Sequence, residues 1–524
     1  MRAQRALAVG VIAGWYVFAL ALLHPLAHGP VVDSWIYGES VRWFLATGQF
    51  RFVGYTETMP VAQVVYGAAW GSVFGTSAVS LDLANVFLGS VTALMLYLLA
   101  LRCGASSWQA LAASALLICN PCFLFLSFSF MSEIGFLGAV LGSQLAFAHA
   151  EGAHQMRWLW MSAALCVVAF AVRPFGGIAI LGAVGAILIC DGARKDRIAR
   201  LAPFAIALVA CAVLWWWLTI SRPPPWKLLQ RKAILASFLK IAPWEYFRTG
   251  IVSPLLYLGI VLSPLAIVRV SKTIRRALAL AAGIFIVTMI LVRIGSRLPA
   301  TPEMSCFGGW SNALILRGLS NRFEWSDGWQ YATALLGSIG AAGLILALVD
   351  AIPRLTRAST AVLIASAIYW AAIVPLWFFN DRYFLVLVPA GALILAMMPL
   401  PERMYARIAT FAMTMVMGLM SLGGTYAYQR GLSAVMAARD MLEKRGVARA
   451  SIDAGYELNG LELYPFPQGD DSHVPMITSS KVSEYTIASS PFAGTEIIGT
   501  LARPGPFGFG KRELYVLRRI GPPD

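Results

Sequence analysis

The sequence predicts an all-α polytopic membrane protein that ends in a small C-terminal α/β domain. Three observations carry that expectation. Of 524 residues, 59% are hydrophobic and 13% charged, whereas a soluble domain is about half apolar and about a quarter charged. Apolar stretches of about 20 residues, the length of a bilayer-crossing helix, recur through positions 1–427. Positions 428–524 then change character, because Lys/Arg and Asp/Glu balance there. The net charge of +15 therefore belongs to the apolar region. Disorder and coiled coil are excluded, since both need far more charge.

About thirteen stretches are long and apolar enough to be read as spans. They are 7–27, 79–101, 108–126, 133–150, 157–172, 174–190, 200–219, 251–270, 277–294, 329–350, 358–378, 382–400 and 405–427. The first follows Arg2 and Arg5, as a signal peptide would. It exceeds a signal core of about 7–15 residues and lacks a small-x-small cleavage site, so it reads as an uncleaved anchor. Residues 34–46 form a helix pattern behind Asp33, a residue type that caps helices well. Arg173 and Pro174 alone divide 157–190, which leaves the count there open. Beyond the last span, an amphipathic stretch from Leu432 to Lys444 precedes Gly446, a helix stop. Strand-like runs follow and end at 513–518. The expected division is thus 1–427, a membrane domain, and 428–524, an extracytoplasmic domain.

Orientation follows from the Lys/Arg bias. With the N-terminus in the cytoplasm, inner loops hold about 16 Lys/Arg in about 53 residues, against about 13 in about 126 outside. Arg194, Lys195, Arg197, Arg269, Lys272, Arg275, Arg354 and Arg357 are among the inner cations. Much of this charge is topology signal, and nothing in it implies a nucleic-acid footprint. Five of the seven cysteines fall inside spans and Cys103 lies just past the end of one, so no disulfide framework is implied. Cys119 and Cys122 flank Asn120-Pro121 and read as packing, because nothing nearby would stabilise a thiolate.

Span centres carry almost no charge, which weakens a proton-coupled carrier reading. The acids gather instead at the outer mouth. Asp33, Glu39 and Glu57 lie in the first outer loop, Glu133 at the second outer turn and Asp381 in the turn 379–383. The outer segment 221–250 adds Arg222, Lys227, Arg231, Lys232, Lys240 and Arg248, interleaved with Trp226, Trp244 and Tyr246. Such a stretch suits either an interfacial helix on anionic lipid or a clamp on one lipid-linked phosphate. A transferase with a lipid-phosphate donor needs these features. A carboxylate takes the proton of an acceptor hydroxyl, and cations stabilise the leaving phosphate.

Several motifs, in order, resemble membrane glycosyltransferases of the GT-C type, in their protein O-mannosyltransferase-like and aminoarabinose-transferase-like branch. They are VDSWIY at 32–37, Arg42, ATG at 46–48, ETMP at 57–60, Tyr66, Phe74-Gly75, Asn120-Pro121, Ser132-Glu133, RPFG at 173–176, DRY at 381–383 and Pro389. The resemblance implies Asp33 as catalytic base. It implies Glu57, Glu133, Arg173, Asp381, Arg382 and Tyr383 as substrate-binding residues, with Lys227 and Arg231 as further phosphate contacts. Thr58 and Met59 replace the Lys-Pro usual after the first-loop acid, so one phosphate-binding lysine is missing. His24 and His28 are spaced to share a helical face, although Pro25 lies between them. No cofactor is established, and a divalent metal ion at Asp33 or Glu133 stays open. The run 452–460 resembles a segment that follows the last helix in some bacterial members, and no catalysis is inferred from it.

The resemblance implies an inverting hexosyl- or pentosyltransferase acting at the outer face of the membrane. Its partners would be a polyprenyl-phosphate sugar donor, a lipid, glycan or protein acceptor, and membrane lipids. Two rivals are a transporter or flippase of lipid-linked sugars and a non-catalytic assembly subunit of the same fold. A separation of Asp33 and Glu133 beyond roughly 15 Å would favour the subunit, since a base must reach its proton within one hydrogen bond.

Overall fold

A computed structural model describes residues 2–23, 29–53, 60–151, 154–191, 194–220, 246–269, 274–293, 316–317, 327–374, 381–399, 404–466, 468, 483–505, 507 and 511–521. Ten helices fill the first half of the bundle. They are α1 Arg2–Leu23, α2 Ser34–Thr47, α3 Val61–Phe74, α4 Ala78–Arg102, α5 Ser107–Ile118, α6 Pro121–Ser127, α7 Ser132–Ala148, α8 Gln155–Val172, α9 Gly177–Cys190 and α10 Arg194–Ile220. Then come α11 Ser253–Arg269, α12 Ile274–Arg293, α13 Asp327–Ala351, α14 Arg357–Ile373, α15 Val388–Met397 and α16 Met404–Lys444. Short β1 Ile452–Asp453, helix α17 Tyr456–Leu463 and strands β2 Tyr485–Ala488, β3 Thr495–Pro504 and β4 Lys511–Arg519 complete it.

Among the described residues, eight helices are long and apolar enough to cross a membrane, or nine if the bent pair α5–α6 is one span. Each expected stretch falls on a helix. Several of these helices, α7, α9, α14 and the segment Arg382–Met397 among them, belong to a shorter apolar class of 10–17 residues. Among the described residues, a count of thirteen full crossings is therefore not reached on length and composition. The outward faces of α1, α10 and α12 expose Leu7, Val17, Val209, Val213, Ile286 and Ile290, as lipid-facing helices do.

The breaks have local causes. The expected span 108–126 bends by 67°, because Pro121 opens α6 and lacks the N–H that would continue α5. Asn120 caps the new helix by accepting from the N–H groups of Cys122 and Phe123. Cys119 and Cys122 are buried in the same core. Arg173 precedes a proline and is extended (φ −147°, ψ 136°), which separates α8 from the 3-10 turn Pro174–Gly176 and α9.

Helix α16 runs unbroken through positions 427 and 428. At 1.5 Å per residue its 41 residues reach about 60 Å, twice a hydrocarbon core of about 30 Å. Its final turns must therefore leave the membrane. They end where the sequence predicts, before Gly446 with φ 82°. The sheet has the order β1-β2-β4-β3, with β1 parallel to β2 and the remaining pairs antiparallel. Ile487, Leu514 and Val516 join the same buried cluster as Leu432, Val435 and Leu442 of α16. Small residues set the tightest helix crossing. A side chain at Gly340 would meet the Gly259 carbonyl oxygen at 1.9 Å, so α11 and α13 touch backbone to backbone.

Candidate active site

The chain reaches Asp33 through a strained residue. Val32 has φ 48°, a region that β-branched residues rarely adopt. Asp33 precedes α2, yet its side chain makes no capping hydrogen bond. The capping role that its position suggests is not performed. Its carboxylate turns instead to partners far along the chain. Arg382 Nη1 donates to Asp33 Oδ2 at 3.2 Å. The Tyr456 hydroxyl donates to Asp33 Oδ1 at 2.8 Å.

Glu133 enters from the first turn of α7 and is 3% exposed. Arg173 Nη2 donates to its Oε1 at 2.6 Å. Arg382 Nε lies 3.3 Å from the same oxygen, within ion-pair distance but without hydrogen-bond geometry. Glu133 Oε2 is buried and makes no hydrogen bond among the described residues. Arg173 Nε also donates to Ser132 Oγ at 3.0 Å, and Ser132 Oγ donates to the Tyr37 hydroxyl at 3.4 Å. Burial works against the Arg173 charge, but Glu133, together with the further neighbours Tyr37 and Tyr383, offsets this and holds the guanidinium above its ordinary pKa.

Arg382 thus touches both carboxylates, which places Asp33 and Glu133 on the two sides of one guanidinium. Two acids and two guanidiniums cancel in formal charge, so the cluster can sit at the membrane boundary without a net buried charge. Its support is polar and buried too. Asn85 Nδ2 donates to the carbonyls of Ser129 and Met131 at 2.6 and 2.8 Å, fixing the turn before Ser132 and Glu133. Gln63 Nε2 donates to Asn85 Oδ1 at 3.4 Å. On the other side, the Tyr369 hydroxyl donates to the Tyr383 carbonyl at 2.9 Å, and Arg382 lies 5.9 Å from the Tyr383 ring centroid.

The structure therefore brings together Asp33, Glu133, Arg173, Arg382 and Tyr383. Arg173 is the more enclosed of the two arginines, with a side-chain exposure of 10% against 19% for Arg382. It is 8% exposed, and two of its nitrogens are committed to Glu133 and Ser132. Asp381 begins the 3-10 turn Asp381–Leu387, but its side chain, together with Glu57, Lys227, Arg231, His24 and His28, lies outside the described residues. Glu39 pairs with Arg42 at 2.6 Å. Among the described residues, no three of His, Cys, Asp and Glu come together as metal ligands. Tyr456 is the site residue that sequence reasoning missed. The run 452–460 is distinctive in the sequence, but nothing local connects Tyr456 to an acid 423 positions earlier.

Residues 66–217 match the family model for dolichyl-phosphate-mannose-protein mannosyltransferases. That segment contains Glu133 and Arg173, whereas Asp33, Arg382 and Tyr456 lie outside it. No curated protein matches the chain in sequence. Among solved structures, the protein O-mannosyltransferase Pmt1–Pmt2 complex of S. cerevisiae, bound to the sugar donor, is similar at 16% identity and a TM-score of 0.34. The match covers 42% of this chain and 34% of that one, so this chain spans about a third of the yeast chain's length. ArnT from Cupriavidus metallidurans bound to undecaprenyl phosphate is similar over 99% of both chains, at 14% identity and a TM-score of 0.42. The archaeal oligosaccharyltransferase AglB from Archaeoglobus fulgidus, in complex with an inhibitory peptide and a dolichol-phosphate, is similar at 14% identity and a TM-score of 0.43. It is covered over 60% of its length by 88% of this chain.

Proposed function

Starting from this likeness to GT-C membrane glycosyltransferases, we propose that the protein moves a sugar from a polyprenyl-phosphate donor to an acceptor hydroxyl at the outer face of the plasma membrane. The observation that carries the reading is the pairing of Asp33 and Glu133 across the Arg382 guanidinium. Asp33 accepts the proton of the acceptor hydroxyl, whose oxygen attacks the anomeric carbon. The bond from that carbon to the phosphate oxygen breaks, and polyprenyl phosphate leaves. One displacement assisted by one base inverts the anomeric centre.

Arg382 is the guanidinium best placed for the departing phosphate, because its side chain retains 19% exposure. Arg173 serves the reaction through Glu133, whose unengaged Oε2 can accept from a sugar or acceptor hydroxyl. Lys227, Arg231 and Asp381 are assigned to substrate binding on the sequence pattern alone. The membrane domain, residues 1–427, carries the chemistry, and 428–524 faces the same side as the site.

Asp33→Asn tests the base. The variant keeps the shape of the side chain and an oxygen that can accept from Tyr456, but it cannot take a proton at neutral pH. General-base catalysis contributes about 10²- to 10⁴-fold, so kcat should fall by that factor in transfer assays with a panel of polyprenyl-phosphate sugars. Wild-type turnover at normal expression would remove Asp33 from the role.

A further inference from the structure

The contact between Tyr456 and Asp33 joins the C-terminal segment to the acid at the centre of the site. Each oxygen of the Asp33 carboxylate is held by a donor from a different region of the chain. Arg382 takes Oδ2 at 3.2 Å, and Tyr456 takes Oδ1 at 2.8 Å. A carboxylate held on both oxygens cannot turn about its Cβ–Cγ bond without losing one of them.

The hydroxyl is delivered by a segment that is itself over-determined. Gly455 has φ 82°, which turns the chain into α17 so that Tyr456 is its first residue. Asp453 Oδ1 accepts from the Gly455 N–H at 3.1 Å and from Asn459 Nδ2 at 2.7 Å. Asn459 Oδ1 accepts from the Ala454 N–H at 3.0 Å. At the residue after Tyr456, the Tyr428 hydroxyl of α16 donates to the buried Glu457 carboxylate at 2.8 Å. Gly460 then packs against Trp35, where an added Cβ would meet indole Cε2 at 2.2 Å. Trp35 is two residues from Asp33, so the donor and acceptor of the hydrogen bond are anchored to each other by packing as well.

We propose that Tyr456 is a positioning residue of the reaction and that the segment 452–466 is a working element of the active site. This rests on the reading of Asp33 as the general base. A base must present a lone pair along the acceptor O–H at about 2.6–3.2 Å. An ionised carboxylate offers about four such positions. Arg382 and Tyr456 occupy one on each oxygen and so fix the direction of those that remain. The acceptor proton goes to Asp33, while Tyr456 keeps its own proton and no bond to it forms or breaks.

The test uses the full-length protein. Tyr456→Phe removes the hydroxyl and keeps the ring, which meets Trp35 edge-on at 6.1 Å. With a polyprenyl-phosphate sugar that the wild type uses, kcat is expected to fall about 10- to 100-fold, the range for one hydrogen bond to a charged group. The donor KM should stay within about twofold, and the thermal midpoint should fall only by what the loss of one hydrogen bond accounts for. Unchanged kcat overturns the proposal. So does a joint loss of activity, donor affinity and thermal midpoint, which would mark a purely structural contact.

A double-mutant cycle of Asp33→Ala and Tyr456→Phe, read as thermal midpoints without substrate, tests the coupling independently of turnover. Non-additive shifts are expected, and additive shifts overturn the proposal. If the wild type turns over no polyprenyl-phosphate sugar, the glycosyl-transfer reading fails, and the cycle alone decides whether Tyr456 holds Asp33.

Discussion

Replacing Arg173 with methionine would keep most of the side-chain volume and remove the charge that faces Glu133. The pair is deeply placed, with side-chain exposures of 10% and 4%. Removing one partner of a buried ion pair leaves an uncompensated charge and costs about 3–5 kcal/mol. The lower end applies here, because Arg382 stays 3.3 Å from the same Glu133 oxygen. About 3 kcal/mol is a more than hundredfold change in the folded-to-unfolded ratio. Arg518→Gln is the control. Its ion pairs with Glu484 and Glu496 are long and about half exposed, so the change should stay within about 1 kcal/mol. Equilibrium unfolding in mixed micelles reads both variants. Adding Glu133→Gln to Arg173→Met should recover some of the loss, since the stranded charge is gone. An Arg173→Met protein as stable as the Arg518→Gln control would refute the burial argument.

Four further outcomes are expected. Asn85→Ala strands the carbonyls of Ser129 and Met131 and should destabilise by about 1–3 kcal/mol, with transfer activity falling because the turn before Glu133 loosens; thermal unfolding and the transfer assay read the two effects. Gly460→Ala forces a methyl into the Trp35 ring and should destabilise by about 1–3 kcal/mol, seen as a lower thermal midpoint. Gly340→Val should fail more severely in detergent stability than Gly283→Val, because Gly340 meets the Gly259 backbone whereas Gly283 has no atom within 4 Å of an added Cβ. Arg382→Gln should lose transfer while unfolding less readily than Arg173→Met, since each carboxylate keeps one other donor, Tyr456 or Arg173.

Much of the fold was legible because its causes are local. Arg173-Pro174 separates α8 from α9 as the sequence suggests, whereas 108–126 reads as one span and the break that Pro121 makes through its missing N–H appears only in the structure. Gly446 follows the end of α16 in the left-handed region that glycine tolerates. Helix length was less legible. Apolar runs such as 133–150 and 358–378 mark helices but do not reveal that α7 and α14 fall in the shorter class. The candidate acids were legible because charges at a membrane boundary are few, yet their geometry was not. Asp33 occupies an N-cap position without capping, and Arg173 is spent on Glu133 and Ser132.

Where the chain becomes helical, which segments are apolar enough for lipid, and which few charges stand at the helix ends can be read from the residue order alone. Hydropathy, proline geometry and glycine conformation act within a turn or two, so no distant residue is needed to read them. Which charges meet depends on the packed bundle. Asp33 finds Arg382 across 349 positions and Tyr456 across 423. Those encounters depend on how the helices pack, on close approaches such as Gly259 to Gly340 and Gly460 to Trp35. Such approaches are fixed by the whole bundle together, since each requires its partner helix to be in place.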